Sequence, residues 1–330
     1  MKVLFIGGTG IISSACSELA VQRGIELYLL NRGQSVRQPV AGARILQGDI
    51  RQPESVPAAL GELSFDAVVE WVAYTPGHVQ EDVELFRGRT GQYIFISSAS
   101  AYHTPPLFLP VTESTPLHNP FWQYSRDKAA CEALLREAYR GEGFPVTVVR
   151  PSHTYDQTLF PFHGGYTSVA RMRAGKKVVV HGDGTSLWTL THHRDFAVGL
   201  VGLLGNPHAE GDIFHITSDE WLSWNQIYEI VAHAAGVEPQ LVHVPSDLIA
   251  AFDPGWGASL SGDKAHSMIF DNSKIRRLVP DFQPRIPFWQ GAREIIAWYD
   301  ADSARQVVDP SFDALQDRLI SAIEGAYPAG

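Results

Sequence analysis

The stretch "VLFIGGTGIISS" near the start of the chain constrains the fold more than any other. An apolar run is cut by glycines and followed at once by residues at helical spacing, so a buried strand must turn into a helix within a few residues. A β-carbon at Gly7 would block that tight turn, and one at Gly10 would hold a bound pyrophosphate away from the backbone. The helix that begins there offers unpaired amides and a positive dipole end, with Ile11 and Ile12 opening it. Ser13 stands where a third glycine would serve helix–strand packing, and it adds little volume. The segment predicts a dinucleotide-binding unit; the plainer alternative is an ordinary strand-to-helix turn.

The same rhythm continues. "ELYLLN", "ARILQG", "DAVVEWVA", "QYIFISS" and "VTVVRP" read as further strands, with a helix around 122–140 before the last of them. Continuous apolar strands need cover on both faces, so helices should flank a parallel sheet. The expected architecture is α/β, a Rossmann-type doubly wound parallel sheet with a smaller C-terminal α/β substrate lobe. The expected division is 1–157 for the dinucleotide-binding domain, with 191–217 returning to its sheet, and 158–190 plus 218–330 for the substrate lobe. At the end of the second strand, "LLNRG" has Asn31 where an acidic residue would select NAD. Asn31 can bond a ribose hydroxyl without repelling a phosphate, and Arg32 can pair with a 2′-phosphate or stack on adenine, so NADP or NAD is expected with a slight lean to NADP. Asp49 and Ile50 fall where the adenine would lie, and Ala73, just past the fourth strand, joins the expected cofactor set.

Tyr124 and Lys128, in "YSRDK", lie four residues apart on one helical face. A free tyrosine titrates near ~10, so an ammonium beside it would make the phenol a usable acid or base. Upstream, "FISSASAY" ends a buried strand with Ser97 and Ser98, either of which could bond a substrate oxygen. The aromatic residues Phe160, Phe162, Tyr166 and Trp256, with His163, either line a cleft or cover a core, and Lys264 either faces substrate or solvent. His192 and His193 are adjacent, and no His/Cys spacing resembles a zinc site, so no metal is assigned.

Formal charge is −10 with a pI of about 5.7, which argues against a surface built to track nucleic-acid phosphates. Cys16 and Cys131 fall in helical stretches and form no disulfide framework, "MKVLFIGG" turns too soon for a signal peptide, and no apolar run spans a bilayer. A soluble cytoplasmic protein with a small-molecule substrate, no nucleic acid and no membrane is expected.

With these residues in place, the chain resembles the extended short-chain dehydrogenases/reductases, in the NAD-dependent epimerase/dehydratase family. The matches are "GGTG", "GDI", "FISSASAY", "TESTPL", "YSRDK", "VVRP" and "THHRDFA", in family order. The resemblance implies Tyr124 as acid/base, Lys128 as its electrostatic partner and ribose binder, and Ser98 rather than Ser97 as the catalytic hydroxyl. It implies an NAD(P)-dependent oxidoreductase or epimerase acting at a secondary alcohol or ketone carbon, nucleotide sugars included. The chain departs from the family at three places. Ala99 and Ser100 replace the Asp-Glu pair of 4,6-dehydratases, which argues against that activity. His153 replaces a substrate-holding asparagine, and Trp188 an arginine that reaches the substrate diphosphate, leaving Arg194 as a substitute clamp. A substrate with an apolar or aromatic portion therefore competes with a nucleotide sugar. A non-catalytic dinucleotide-binding protein, or an RNA-binding protein like the chloroplast stem-loop binders on this fold, is the alternative. Homodimerisation through helices near 80–90 and 122–140 stays open, the former being rather polar.

Overall fold

The computed structural model describes residues 1–52 and 54–326. The strands predicted for the first half form as β1 (Lys2–Ile6), β2 (Glu26–Asn31), β3 (Arg44–Gln47), β4 (Ala67–Glu70), β5 (Tyr93–Ile96) and β6 (Val146–Pro151). Beyond them run β7 (His153–Tyr155), β8 (Lys177–His181), β9 (Leu187–Trp188), β10 (Leu190–His192), β11 (Ile213–Ile216), β12 (Leu222–Ser223) and β13 (Gln240–Val244). Seven of these strands make one parallel sheet in the order β11-β6-β5-β4-β1-β2-β3.

Alternate residues of each strand enter two different cores, the consequence of a period of two in a sheet covered on both faces. Val3, Phe5, Leu29, Val69 and Ile94 pack with Cys16 of α1 (Ile11–Gln22) on one face, together with Phe196 and Leu200 from a helix described below. Leu4, Tyr28, Val68, Tyr93 and Val148 face the other way. They meet Leu60 of α2 (Val56–Leu60), Val83 of α3 (Pro76–Phe86) and Leu135 of α4 (Gln123–Glu142). Both cysteines are free and buried in these helices. Strand order reverses between β1 and β4, and at such a switch point the loops diverge and leave a crevice at the carboxyl ends of the strands.

The later chain builds a second pair of cores. α5 (Tyr166–Arg173) and α7 (Trp224–Ala234) enclose Phe162, Trp188 and Tyr228, while α6 (His193–Leu203) returns to pack on α1. β8 pairs with β13 in parallel, and helices 254–259 and 310–324 close around Val179, Trp256 and Leu319. Of the segment expected to rejoin the main sheet, β11 does so beside β6, but β10 pairs with β7 outside it. Phe160, Phe162 and Tyr166 are core residues, Phe162 stacking on Tyr228 with centroids 4.5 Å apart. Trp256 is buried as well, with His163 stacked on it at 4.8 Å. Among the described residues no helix is long and apolar enough to cross a membrane.

Candidate active site

A cavity of about 810 Å³ fills the crevice at the switch point, from the glycine turn past the end of β2 to Tyr124 and Lys128. The glycines that shape its floor differ in what they require. Gly7 and Gly8 have φ of 110° and 96°, and a β-carbon on Gly8 would lie 2.6 Å from a methyl of Leu29. Gly10 has an ordinary φ of −80° as the cap of α1, and its amide donates to Ser13 Oγ at 2.8 Å. Ser13 thus does more than save volume: it takes up one of the amides that a pyrophosphate could otherwise use. The first-turn amides of Ile11 and Ile12 have no carbonyl four residues back within the helix, and both residues line the cavity. The Ser17 hydroxyl donates to the Gly8 carbonyl at 2.9 Å and pins the turn from behind.

Along the far wall, Asn31 Oδ1 accepts from the Gly33 amide at 3.1 Å, so that oxygen is already engaged in a local turn. Arg32 is exposed on the cavity wall, and Asp49 and Ile50 line the same cavity. Ala73 is buried behind its neighbours Val72 and Tyr74, which line the cavity in its place. Its contribution is a carbonyl that accepts from Lys128.

Lys128 is only 2% exposed, and its ammonium donates to the carbonyls of Ala73 and Ile96, each at 2.8 Å. Burial pulls its pKa down to about 8. The nitrogen is 5.9 Å from the Tyr124 ring centroid. Burial also dominates at Tyr124 and pushes the phenol up to about 12, the Ser98 hydroxyl pulling it back by less. Lys128 is not among the groups that move the phenol, so the acidification expected from its ammonium is not seen and burial sets the direction.

Tyr124 also lines a second, smaller cavity of about 280 Å³, so the phenol, with Ile12 and Pro151, belongs to the walls of both. Ser98 faces this second space, its Oγ 2.9 Å from that of Ser100, to which Ser125 donates at 2.9 Å. Ser97 has a different task, donating to Glu132 at 2.5 Å next to the Arg150–Glu132 ion pair. His153 and Trp188 line the smaller cavity, and burial together with the Lys264 charge holds the imidazole down to about 3, hence neutral. Arg194 lines neither cavity. It extends from α6 toward helix 288–300, where it bonds Glu294 at 2.5 Å, and so cannot stand in for the missing diphosphate clamp.

Gly8, Ser100, Trp122 and Asp263 belong to these walls without having been singled out from the sequence. The doubled glycine was a usable signal for Gly8, and the place of Trp122 just before α4, the helix of Tyr124 and Lys128, was one for the indole. Asp263 had none, because only tertiary packing brings it to the site.

A model of the NAD dependent epimerase/dehydratase family matches residues 3–217. The 2′-dehydrokanamycin reductase of Streptomyces kanamyceticus is 26% identical over 289 residues, 86% of this chain and 81% of that protein. The chloroplast stem-loop binding protein of 41 kDa b from Arabidopsis thaliana is 27% identical over 257 residues, 73% of this chain and 65% of that one. Among solved structures, the dTDP-glucose 4,6-dehydratase of Bacillus anthracis in complex with NAD superposes with a TM-score of 0.75 at 19% identity, covering 92% of this chain and 98% of that chain.

Proposed function

Because the chain belongs to the NAD dependent epimerase/dehydratase family, we propose that it moves a hydride between a nicotinamide dinucleotide and a secondary alcohol or ketone carbon. In this scheme residues 1–157 with 191–217 hold the dinucleotide, and 158–190 with 218–330 shape the substrate side. One observation carries the proposal: the Tyr124 side chain stands in the partition between a long cavity floored by the glycine turn and a small one lined by Ser98. The long cavity fits a dinucleotide, since its floor is a backbone turn that side chains cannot occupy and its length runs from free helix amides to a buried lysine. When bound there, the dinucleotide supplies or accepts the hydride.

The chain's own residues manage the proton. Tyr124 gives its hydroxyl proton to the substrate oxygen as a carbonyl is reduced and recovers it in the reverse direction. Ser98 bonds the same oxygen, and Ser100 and Ser125 fix the direction of the Ser98 hydroxyl. Lys128, anchored on two carbonyls, places positive charge at the junction. A phenol with a pKa of about 12 is protonated at neutral pH and so stands ready as the acid when a carbonyl is reduced. Epimerisation needs the same three groups and is the second form the activity could take. Ala99 and Ser100 supply no acid–base pair for eliminating water.

A stem-loop RNA-binding role finds support in one relative, but the net charge of −10 and an intact Tyr124/Lys128 pair weigh against it. The test is oxidation of NADH and NADPH by the purified protein against a panel of ketones and keto sugars. Turnover that survives Tyr124→Phe at the parent rate would refute the acid/base role.

A further inference from the structure

The smaller cavity has a chemistry of its own. At about 280 Å³ it lies just under the ~300–1,000 Å³ usual for pockets that take drug-sized ligands. Neither arginine nor lysine lines it. One wall comes from a one-turn π-helix, Leu260–Lys264, a distortion that recurs at functional sites. Four donors lock that turn. Asn119 Nδ2 reaches the Gly262 carbonyl at 2.6 Å, and His181, Ser186 and Trp224 share the Lys264 carbonyl at 3.1, 3.3 and 3.1 Å. A β-carbon on Gly262 would lie 2.7 Å from Cβ of Trp122, so glycine alone lets the turn pack there.

The locked turn delivers two groups. Asp263 enters the cavity wall, and the Lys264 ammonium settles 5.6 Å from the Trp122 ring and 5.8 Å from the Trp188 ring. Asp263 Oδ2 is 3.2 Å from that ammonium, while among the described residues no donor reaches Oδ1. The pair is neutral as a unit, and the place above the indoles where a cationic ligand would sit is already filled by Lys264. A diphosphate would find no bidentate partner among the lining residues, because none is an arginine and the Lys264 ammonium is committed to Asp263.

We infer that this cavity takes a compact uncharged ring bearing several hydroxyls, a monosaccharide or cyclitol ring without a nucleotide diphosphate. Its aliphatic face rests on the apolar wall of Ile12, Met268 and Phe270, the indole faces being taken by Lys264, and one hydroxyl donates to Asp263 Oδ1. The neutral His153 and the hydroxyl of Ser98 satisfy others, since a buried hydroxyl without a partner is costly. The inference rests on the hydride-transfer proposal, with the reacting carbon of the ring turned toward Tyr124.

Calorimetric titration of the full chain, with and without NAD, tests it, using myo-inositol and methyl α-D-glucopyranoside as ring probes and UDP as the nucleotide probe. At least one ring probe should bind, and Asp263→Asn, which keeps the shape of the side chain, should weaken it about tenfold. Trp188→Arg should weaken the ring probe and gain affinity for UDP. Both variants should keep the parent's NAD affinity within about twofold, tenfold being the scale of one lost hydrogen bond. Tighter binding of UDP than of either ring probe by the parent, or no saturable binding of either ring, overturns the inference. A protein that binds a ring probe but no dinucleotide would instead sink the hydride-transfer proposal and leave the ring site standing.

Discussion

Tyr124 and Lys128 are both held toward their neutral forms by burial, and that shared cause yields opposite consequences for pH. For Lys128 the native pKa of about 8 lies below the unfolded value, so between about pH 8 and ~10.5 the unfolded chain binds the extra proton. Stability from this group is complete above that window and is lost as pH falls through it. Comparing unfolding free energies at pH 7.5 and 9.5, the parent should gain roughly 2 kcal/mol more than Lys128→Met, an order-of-magnitude figure from the linkage relation. An equal pH response in the two proteins would mean that the lysine titrates normally. For Tyr124 the raised pKa keeps the proton in place to be given away. Tyr124→Phe should lower kcat by about 10²–10⁴ with a much smaller change in KM, the range for removal of a general acid. A steady-state assay on any ketone turned over by the parent reads this directly.

The strand–turn–helix element separates two reasons for glycine. Gly8 is required by the fold, since φ is 96° and a side chain would strike Leu29. Gly8→Ala should cost about 3 kcal/mol by chemical denaturation, combining backbone strain and overpacking. Gly10 sits at φ −80° with only Ser13 Oγ nearby, so Gly10→Ala should change stability by less than about 1 kcal/mol. If the helix end receives a pyrophosphate, the same variant should weaken NADH binding about tenfold, because its methyl group holds the phosphates off the backbone. This element was readable in the sequence because its signals are local: an apolar run, glycines, then helical spacing. The parallel sheet was readable for the same reason. The smaller cavity was not. Its walls come from residues 12, 98–100, 122–124, 151–154, 188 and 263–270, segments joined only by packing, and the π-helical turn that presents Asp263 leaves no periodic trace. Trp188 and His153 were found only because they interrupt a family pattern. Arg194 failed as a candidate because Glu294, 100 residues further along, claims it.

At the scale of the whole molecule, one side chain ties the long cavity to the rest of the chain. Arg32–Ser35, from the loop after β2, line the long cavity, and Arg37 of the same loop reaches Asp156, beyond β7, at 2.5 Å. Its guanidinium also bonds Thr158 Oγ1 at 2.6 Å and Ser14 Oγ of α1 at 3.3 Å. Thr158 is in turn held by Tyr299 of helix 288–300, whose hydroxyl donates to its carbonyl at 3.1 Å. The loop that walls the long cavity is therefore fastened to the end of β7 and to helix 288–300. Asp156 is buried and Arg37 half-buried, which makes the pair a charge-assisted contact rather than a fully exposed surface ion pair. Asp156→Asn keeps an acceptor but removes the charge, and should speed NADH dissociation about tenfold in stopped-flow, near the ~1.5–3 kcal/mol of a charged hydrogen bond at its lower end. Association should change little, because the loop is loosened rather than closed. A variant that unfolds more easily yet releases NADH at the parent rate would reduce the Arg37–Asp156 pair to a structural tie with no hold on the cofactor.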